Sequence, residues 1–285
     1  MSDHTGIEYL RDRNDVLGAT WNPTTGCEAV SEGCNNCWAR GVAETRMRTS
    51  FAPTVHQDRL AIPLHWKRPR NIAVSFMGDL FHDAIPEAFI AAVWGVMSMA
   101  EHHTFVVCTK RPARARTLLS QPDWHARMIE AMAIVPDDAA RLVSLFGRAH
   151  KPRQGALPLP NIVFLFSAET QQRFDERVED ALAVPAAVHG VSLEPLLGPV
   201  NMLYGAFDGS ESFSAMGRLG FVALGCESGP HRRPMLDRWA RDIRDQCQSA
   251  RVPFFLKQAE GVSGRVEKLP LLDGRQWTER PEVML

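Results

Sequence analysis

Six short apolar runs, separated by amphipathic stretches, constrain the fold of this 285-residue chain more than any other feature. They are IAVSFM (72–77), TFVVCT (104–109), NIVFLFS (161–167), AAVHGVSL (186–193), GFVALG (220–225) and VPFFLK (252–257). Near-continuous apolar runs of this length are the pattern of strands buried on both faces. Helical patterns lie between them. PEAFIAAVWGVMSMAEH (86–102) opens with a proline that suits a first turn; two or more segments follow within 112–147, one near 172–183, and LDRWARDIRDQCQSA at 236–250. Upstream, NCWARGVAETRMRT also reads as a helix. Such alternation predicts a parallel sheet covered by helices, and right-handed crossovers leave a doubly wound sheet or a barrel. No Gly-rich dinucleotide fingerprint follows a strand and no P-loop signature occurs, so nothing points to a nucleotide fold of either type. The expected class is α/β, a partial or complete (β/α) barrel with mostly parallel strands. One domain spans 1–285, with the barrel core at about 17–258, a Pro-rich basic insertion at about 148–160 and a C-terminal tail at 259–285.

Every apolar run leads directly into polar side chains. IAVSFM is followed by Gly78 and Asp79, TFVVC by Thr109, Lys110 and Arg111, and NIVFLF by Ser167 and Glu169. VHGVSL leads to Glu194, FVALG to Glu227, and VPFFL to Lys257. In a parallel barrel these carboxyl ends meet at one mouth, where barrel active sites lie. One charge after a strand is unremarkable because loops are polar; the same arrangement after all six runs predicts a shared site. Gly78 beside a strand end also allows a close backbone approach.

Composition sets limits on the class. The formal net charge is −1 and 45% of residues are hydrophobic, an ordinary globular balance that argues against a generally basic nucleic-acid binder. No apolar run approaches the roughly 20 residues a bilayer crossing needs, and the polar start MSDHTGIEYLRDRND lacks a signal-peptide core. A cytoplasmic protein with no membrane partner is expected, and there six cysteines do not read as a disulfide framework.

Three of those cysteines sit within CEAVSEGCNNC: Cys27, Cys34 and Cys37, spaced C-x6-C-x2-C. The other three, Cys108, Cys226 and Cys247, are scattered and read as small buried hydrophobes. Structural zinc would need a fourth ligand, and His56 is badly spaced for it. A Cys34–Cys37 redox pair would leave Cys27 without a purpose. Iron–sulfur clusters normally take four thiolates. Three would leave one iron of a 4Fe-4S cluster open to a small molecule, such as the amino and carboxylate groups of S-adenosyl-L-methionine, whose reductive cleavage gives a 5′-deoxyadenosyl radical.

The stretch TWNPTTGCEAVSEGCNNCWAR, with SFMGDLFHD, CTKRP, SLEPLLGP, GCESG, Arg233-Pro234 and VPFFLKQ in order from Thr20 to Gln258, resembles a phage-associated family of unknown function described as radical-SAM-like. The resemblance implies a radical-SAM-type partial barrel, a three-cysteine cluster, S-adenosylmethionine as cofactor and an electron donor such as flavodoxin or ferredoxin. It supplies no substrate; a nucleotide or nucleic acid is an expectation by analogy. Two departures stand out. The common radical-SAM triad is C-x3-C-x2-C with an aromatic residue before the last Cys, whereas here the gap is six, Asn36 holds that place and Trp38 follows. The family's Gly-Gly-Glu-Ser-Gly is here Gly225-Cys226-Glu227-Ser228-Gly229, which makes Cys226 a candidate extra thiol.

Strand order then places the roles. Cys27, Cys34 and Cys37 are the metal ligands. Gly78 and Asp79 fall where the methionine ammonium would bind, with Lys110 or Arg111 for its carboxylate or for an anionic substrate. Glu169 and Glu194 would hold ribose hydroxyls and Trp38 the adenine. Glu227, Lys257 and Glu194 are the catalytic candidates, Lys257 as a proton donor. Two rival functions remain open: a non-radical hydrolase or lyase using Glu169, Glu194 and Glu227, and a zinc-containing nucleic-acid module, for which WKRPR (66–70), Arg111, Arg114 and Arg116 speak.

Overall fold

The computed structural model describes residues 5–11, 17–136, 157–203, 205–207, 211–229, 231–261 and 263–284. Its main sheet has eight strands: β1 (Leu17–Trp21), β2 (Arg70–Val74), β3 (Thr104–Thr109), β4 (Ile162–Ser167), β5 (Val188–Leu193), β6 (Phe221–Gly225), β7 (Phe254–Glu260) and β8 (Val266–Lys268). They lie side by side in chain order. The first seven are parallel and β8 runs antiparallel at the edge.

That monotonic order decides between the two architectures the sequence leaves open. A doubly wound sheet reverses its strand order once; this one never does, so right-handed crossovers stack the helices on the same face. The helices are α1 (Glu87–Met99), α2 (Pro112–Leu119), α3 (Trp124–Ala131), α4 (Gln171–Ala183) and α5 (Asp237–Ala250). With helices outside, the sheet curls into a partial barrel, and β1 does not pair with β7 or β8 to close it.

Strand alternation splits the core in two. Ile72, Val74, Phe105, Val107, Phe164, Phe166, Val222 and Leu224 face the helices, where Trp94 and Trp124 complete the outer core. Ala73, Val106, Val163, Leu165, Phe221, Ala223 and Phe255 face the concave side. Both sets are apolar because both faces are covered, hence the continuous runs. The inner core is sealed at the amino end. Tyr9 packs edge-on against Phe221 and Phe255, at 5.9 and 5.8 Å between ring centroids. Asn71 Nδ2 donates to the carbonyls of Leu10 and Met284 at 3.3 and 3.1 Å. The segment after 259 therefore packs: β8 extends the sheet edge, a small hairpin (Leu271–Leu272 with Arg275–Gln276) sets Asp273 against Arg241 and Arg244 of α5, and buried Met284 joins the inner core at the amino end.

Element boundaries differ from the sequence reading in instructive places. The first apolar run ends as a strand at Val74, not 77, because Ser75 is left-handed (φ 57°) and its N–H turns to the Trp21 carbonyl at 2.8 Å. The helix after the cysteines is α-helical only over Trp38–Gly41 and widens to π geometry over Val42–Met47. Of the basic insertion at 148–160, residues 148–156 lie outside the described part.

Candidate active site: the cysteine loop at the barrel mouth

The carboxyl ends of the parallel strands form one mouth, and the loop from Gly26 to Cys37, which leaves β1 at its carboxyl end, runs across it. The loop is tied down at its start. Gly26 (φ 80°) pairs with Gly78 in an isolated parallel bridge, and its N–H donates to the Met77 carbonyl at 2.9 Å. A Cβ on Gly78 would come within 2.6 Å of the Gly26 carbonyl oxygen, so this glycine is required by the backbone of the loop it holds. Cys27 N–H donates to Phe51 O at 3.0 Å, and Cys27, Cys37 and Met77 pack against a buried cluster of Ala39, Ala43 and Phe51.

All three loop thiols are partly exposed and unbonded to one another. Arg111 Nη1 points at the Cys27 sulfur from 3.3 Å. Burial pushes the Cys27 thiol up, as does Asp79; Arg111 opposes both, and Cys34 is close enough to add a small upward push. Cys34 Sγ is 3.7 Å from Ser31 Oγ, and Cys37 N–H donates to the Cys34 carbonyl at 3.3 Å. Trp38, next after Cys37, is half exposed.

Asp79 is buried, and its carboxylate is filled by protein donors. Oδ1 accepts from Phe81 N–H at 3.0 Å and Thr109 Oγ1 at 2.7 Å; Oδ2 accepts from Lys110 N–H at 3.1 Å and Arg111 Nη1 at 3.2 Å. Glu169 is fully buried. Its Oε1 accepts from Ser31 Oγ at 2.9 Å and from Lys110 Nζ, and its Oε2 from Arg177 Nη1 at 3.0 Å. Burial pushes this carboxyl up, but Lys110 and Arg177 outweigh it and the group sits below the usual carboxylate range. Glu227 repeats the pattern on the far side. Oε2 accepts from Asn36 Nδ2 at 2.9 Å and from Arg233 N–H and Nε at 2.8 and 3.0 Å, while Arg233 Nη2 takes Oε1. It too is held low, burial being overcome by Arg233 and Asn36.

Glu194 and Lys257 are placed differently. They face each other on the inner wall at 2.5 Å, with Ser192 Oγ 3.4 Å from Glu194 Oε1. Lys257 would be pushed down by burial, yet Glu194 holds it above the ordinary lysine value. Cys108 belongs with them and not with the outer core: it packs beside the inner cluster with Ser167 Oγ at 3.3 Å. Burial raises this thiol to about 11, Ser167 and Lys110 opposing. Cys226 and Cys247 are core residues facing the helices, as small hydrophobes would be.

The structure thus brings Cys27, Cys34, Cys37, Gly78, Asp79, Lys110, Arg111, Glu169 and Glu227 to one loop and its supports, and Glu194 and Lys257 to the wall below. WKRPR stays apart. It runs into the start of β2, at the amino-end rim, where Arg70 stacks over Trp66 at 4.8 Å. Arg114 is spent on the carbonyls of His82 and Ile85, and Arg116 on Asp180. Ser31, Asn36, Arg177 and Ser192 are partners that sequence reasoning missed. Ser31 and Asn36 were visible as short polar residues inside the cysteine stretch; Arg177 carries no signal, because an arginine in an amphipathic helix is ordinarily a surface residue.

The donor set fits an open cluster. Three soft thiolate donors lie on one loop with no fourth cysteine among the loop's contacts. The fit is one of donor type: among the described residues no group of three or more His, Cys, Asp or Glu side chains is already gathered around a metal position.

Fold and site define a class: an open (β/α) barrel with a three-thiol loop braced across its carboxyl mouth. The chain belongs to the DUF5131 family, a protein family of unknown function, whose model matches residues 5–281. No curated protein matches it. Three solved structures of spore photoproduct lyase show a distant likeness. A cysteine-to-serine mutant has 12% identity and a TM-score of 0.42, covering 84% of this chain and 74% of that chain. A double mutant with bound AdoMet and dinucleoside spore photoproduct has 13% identity and a TM-score of 0.38, covering 87% and 67%. The lyase complexed with the dinucleoside has 14% identity and a TM-score of 0.34, covering 86% and 66%. No helix among the described residues is long and apolar enough to cross a membrane.

Proposed function

We propose that the protein is a radical S-adenosylmethionine enzyme in which Cys27, Cys34 and Cys37 hold a 4Fe-4S cluster. The observation that carries this reading is the placement of three partly exposed thiols on one loop fixed across the mouth of a partial barrel. When bound, such a cluster supplies an electron that cleaves S-adenosylmethionine to a 5′-deoxyadenosyl radical. The protein's own groups do the rest. Lys110 keeps N–H donors beyond the one given to Glu169 and is the cation for the methionine carboxylate. Half-exposed Trp38, next in sequence to Cys37, is the aromatic surface for the adenine. The substrate lies against the inner wall, where Glu194 and Lys257 offer an acceptor and a proton donor side by side, among Ser167, Ser192 and the neutral Cys108 thiol. The Glu194–Lys257 pair balances its own charge, which suits an uncharged polar group such as a nucleobase better than a phosphate. Electrons come from a flavodoxin- or ferredoxin-type donor.

The carboxylate hydrolase is the weaker reading. A general acid at neutral pH needs a raised pKa, whereas Glu169 is held low by Lys110 and Arg177, Glu227 by Arg233 and Asn36, and both are sealed from solvent.

Anaerobic reconstitution with iron and sulfide, reduction, and mass-spectrometric assay of 5′-deoxyadenosine after adding S-adenosylmethionine test the proposal. The expected result is 5′-deoxyadenosine from the wild type and none from Cys27→Ala, Cys34→Ala or Cys37→Ala. A reconstituted, iron-loaded protein that forms none would count against it.

A further inference from the structure

The three strand-end carboxylates and the three loop thiols are arranged one to one. Behind Cys27 stands Arg111, 3.3 Å from the sulfur, and behind Arg111 stands Asp79 at 3.2 Å. Behind Cys34 stands Ser31, whose Oγ is 3.7 Å from the sulfur and 2.9 Å from Glu169. Cys37 is preceded by Asn36, whose amide donates to Glu227 at 2.9 Å and to the His231 carbonyl at the same distance. These carboxylates come from the ends of β2, β4 and β6, three separate strands of the rigid sheet.

All three are 5% exposed or less. Asp79 and Glu227 each accept four donors from the protein and Glu169 three, and Glu169 and Glu227 are neutralised by Lys110 and Arg177 and by Arg233. A buried carboxylate so saturated has no acceptor to offer a ligand, yet the pattern is more than charge neutralisation. Each acid spends one bond on a residue of, or pointing at, the cysteine loop. Further contacts strengthen the middle of the loop. Arg233 Nη1 donates to Glu32 O at 3.0 Å, Thr170 and Arg173 hold the Glu32 carboxylate at 3.1 and 2.9 Å, and Gly33 lies so close to Glu169 that no Cβ fits between them. Residues 27–37 hold one short 3-10 turn, Glu32–Cys34, and no other regular element, so precise donor placement depends on the shell behind the loop.

We infer that Asp79, Glu169 and Glu227 are positioning residues, each setting one cysteine through one intermediary: Arg111 for Cys27, Ser31 for Cys34 and Asn36 for Cys37. The inference rests on the proposed function only for the identity of the group the thiols hold; the placement of the loop is a property of the protein before any cluster binds.

Removing a buried carboxylate risks the fold, so the test removes the intermediaries. In the apo protein, alkylation by iodoacetamide is followed cysteine by cysteine by mass spectrometry for Ser31→Ala and Asn36→Ala, with hydrogen exchange over residues 26–38. Ser31→Ala is expected to speed labelling of Cys34 about three- to tenfold, the scale of one lost hydrogen bond, with Cys27 unchanged. Asn36→Ala is expected to do so at Cys37. Ser31→Ala added to Glu169→Gln should give no further change at Cys34. After reconstitution, each variant should also shift the g values of the reduced cluster while the melting temperature stays within a few degrees of wild type. Equal acceleration at all three cysteines, or none, overturns the one-to-one assignment. A wild type that takes up no iron would sink the cluster reading and leave the apo pattern to stand or fall by itself.

Discussion

Lys257 Nζ lies 2.5 Å from Glu194 Oε2 across the inner wall of the barrel, joining the end of β5 to the middle of β7. Their side chains are 22% and 14% exposed, so the pair is shielded but not sealed. Truncating one partner leaves the other charge uncompensated. Lys257→Met is expected to cost about 2–3 kcal/mol, below the range for a fully buried pair because some solvent remains. Glu194→Gln added to Lys257→Met should cost little more. Urea unfolding of both single variants and the double variant measures this; strictly additive losses would show that the two groups are not coupled.

His103 gives the fold an acid limit remote from the site. It is buried, its Nε2 is 3.1 Å from the Pro63 carbonyl, and its Nδ1 has no partner. Burial, aided by the neighbouring His102, pushes it from 6.5 to about 4. The unfolded chain therefore takes up a proton that the folded chain refuses until the pH nears 4. This contribution is full above pH 6.5 and is lost as the pH falls through that window. Integrated, the loss between about pH 7.5 and pH 5 is about 2 kcal/mol. Denaturant midpoints across this range should fall accordingly, and His103→Gln should flatten the slope.

Cys226 stands where the resembling family has glycine, but it is 3% exposed, sits in the outer core and is raised to about 11 by burial. Such a thiol is a poor ligand. Cys226→Ala should leave iron per chain unchanged and cost about 1 kcal/mol in stability, as a small core truncation does. Loss of one iron-binding equivalent would instead make Cys226 part of the site.

Gly33 touches the Glu169 side chain, and a methyl there would overlap it. Gly33→Ala should cost about 1–3 kcal/mol of strain, paid mainly by the loop. Iron uptake should drop well before the melting temperature does. Uptake equal to wild type would show that the Gly33–Glu169 contact does not place the thiols.

The main strands and helices were legible because each buried strand on two covered faces reads as an apolar run, and each helix as a 3.6-residue pattern. TFVVCT became β3 without a shift. Where backbone geometry decides, the reading slipped: Ser75 ends β2 by a left-handed turn that no apolar pattern announces. The closing of the barrel floor by Tyr9 and Met284 also went unread, since their segments lack periodicity and gain their place only from the concave cavity they fill. At the mouth, the strand-end rule named side chains that the fold brings near one another, but it could not say what each one bonds to. Asp79, Glu169 and Glu227 look in sequence like ligand-binding carboxylates. Their partners Ser31 and Asn36 lie 138 and 191 positions from Glu169 and Glu227, and no local pattern reports such pairing.

The most direct test is electron paramagnetic resonance of the anaerobically reconstituted, reduced protein before and after S-adenosylmethionine is added. An S = ½ cluster signal whose g values move on adding the cofactor, and which disappears in Cys27→Ala, Cys34→Ala and Cys37→Ala, is the predicted result. A cluster signal indifferent to S-adenosylmethionine, or one that survives loss of any of the three cysteines, would contradict an open iron held by this loop.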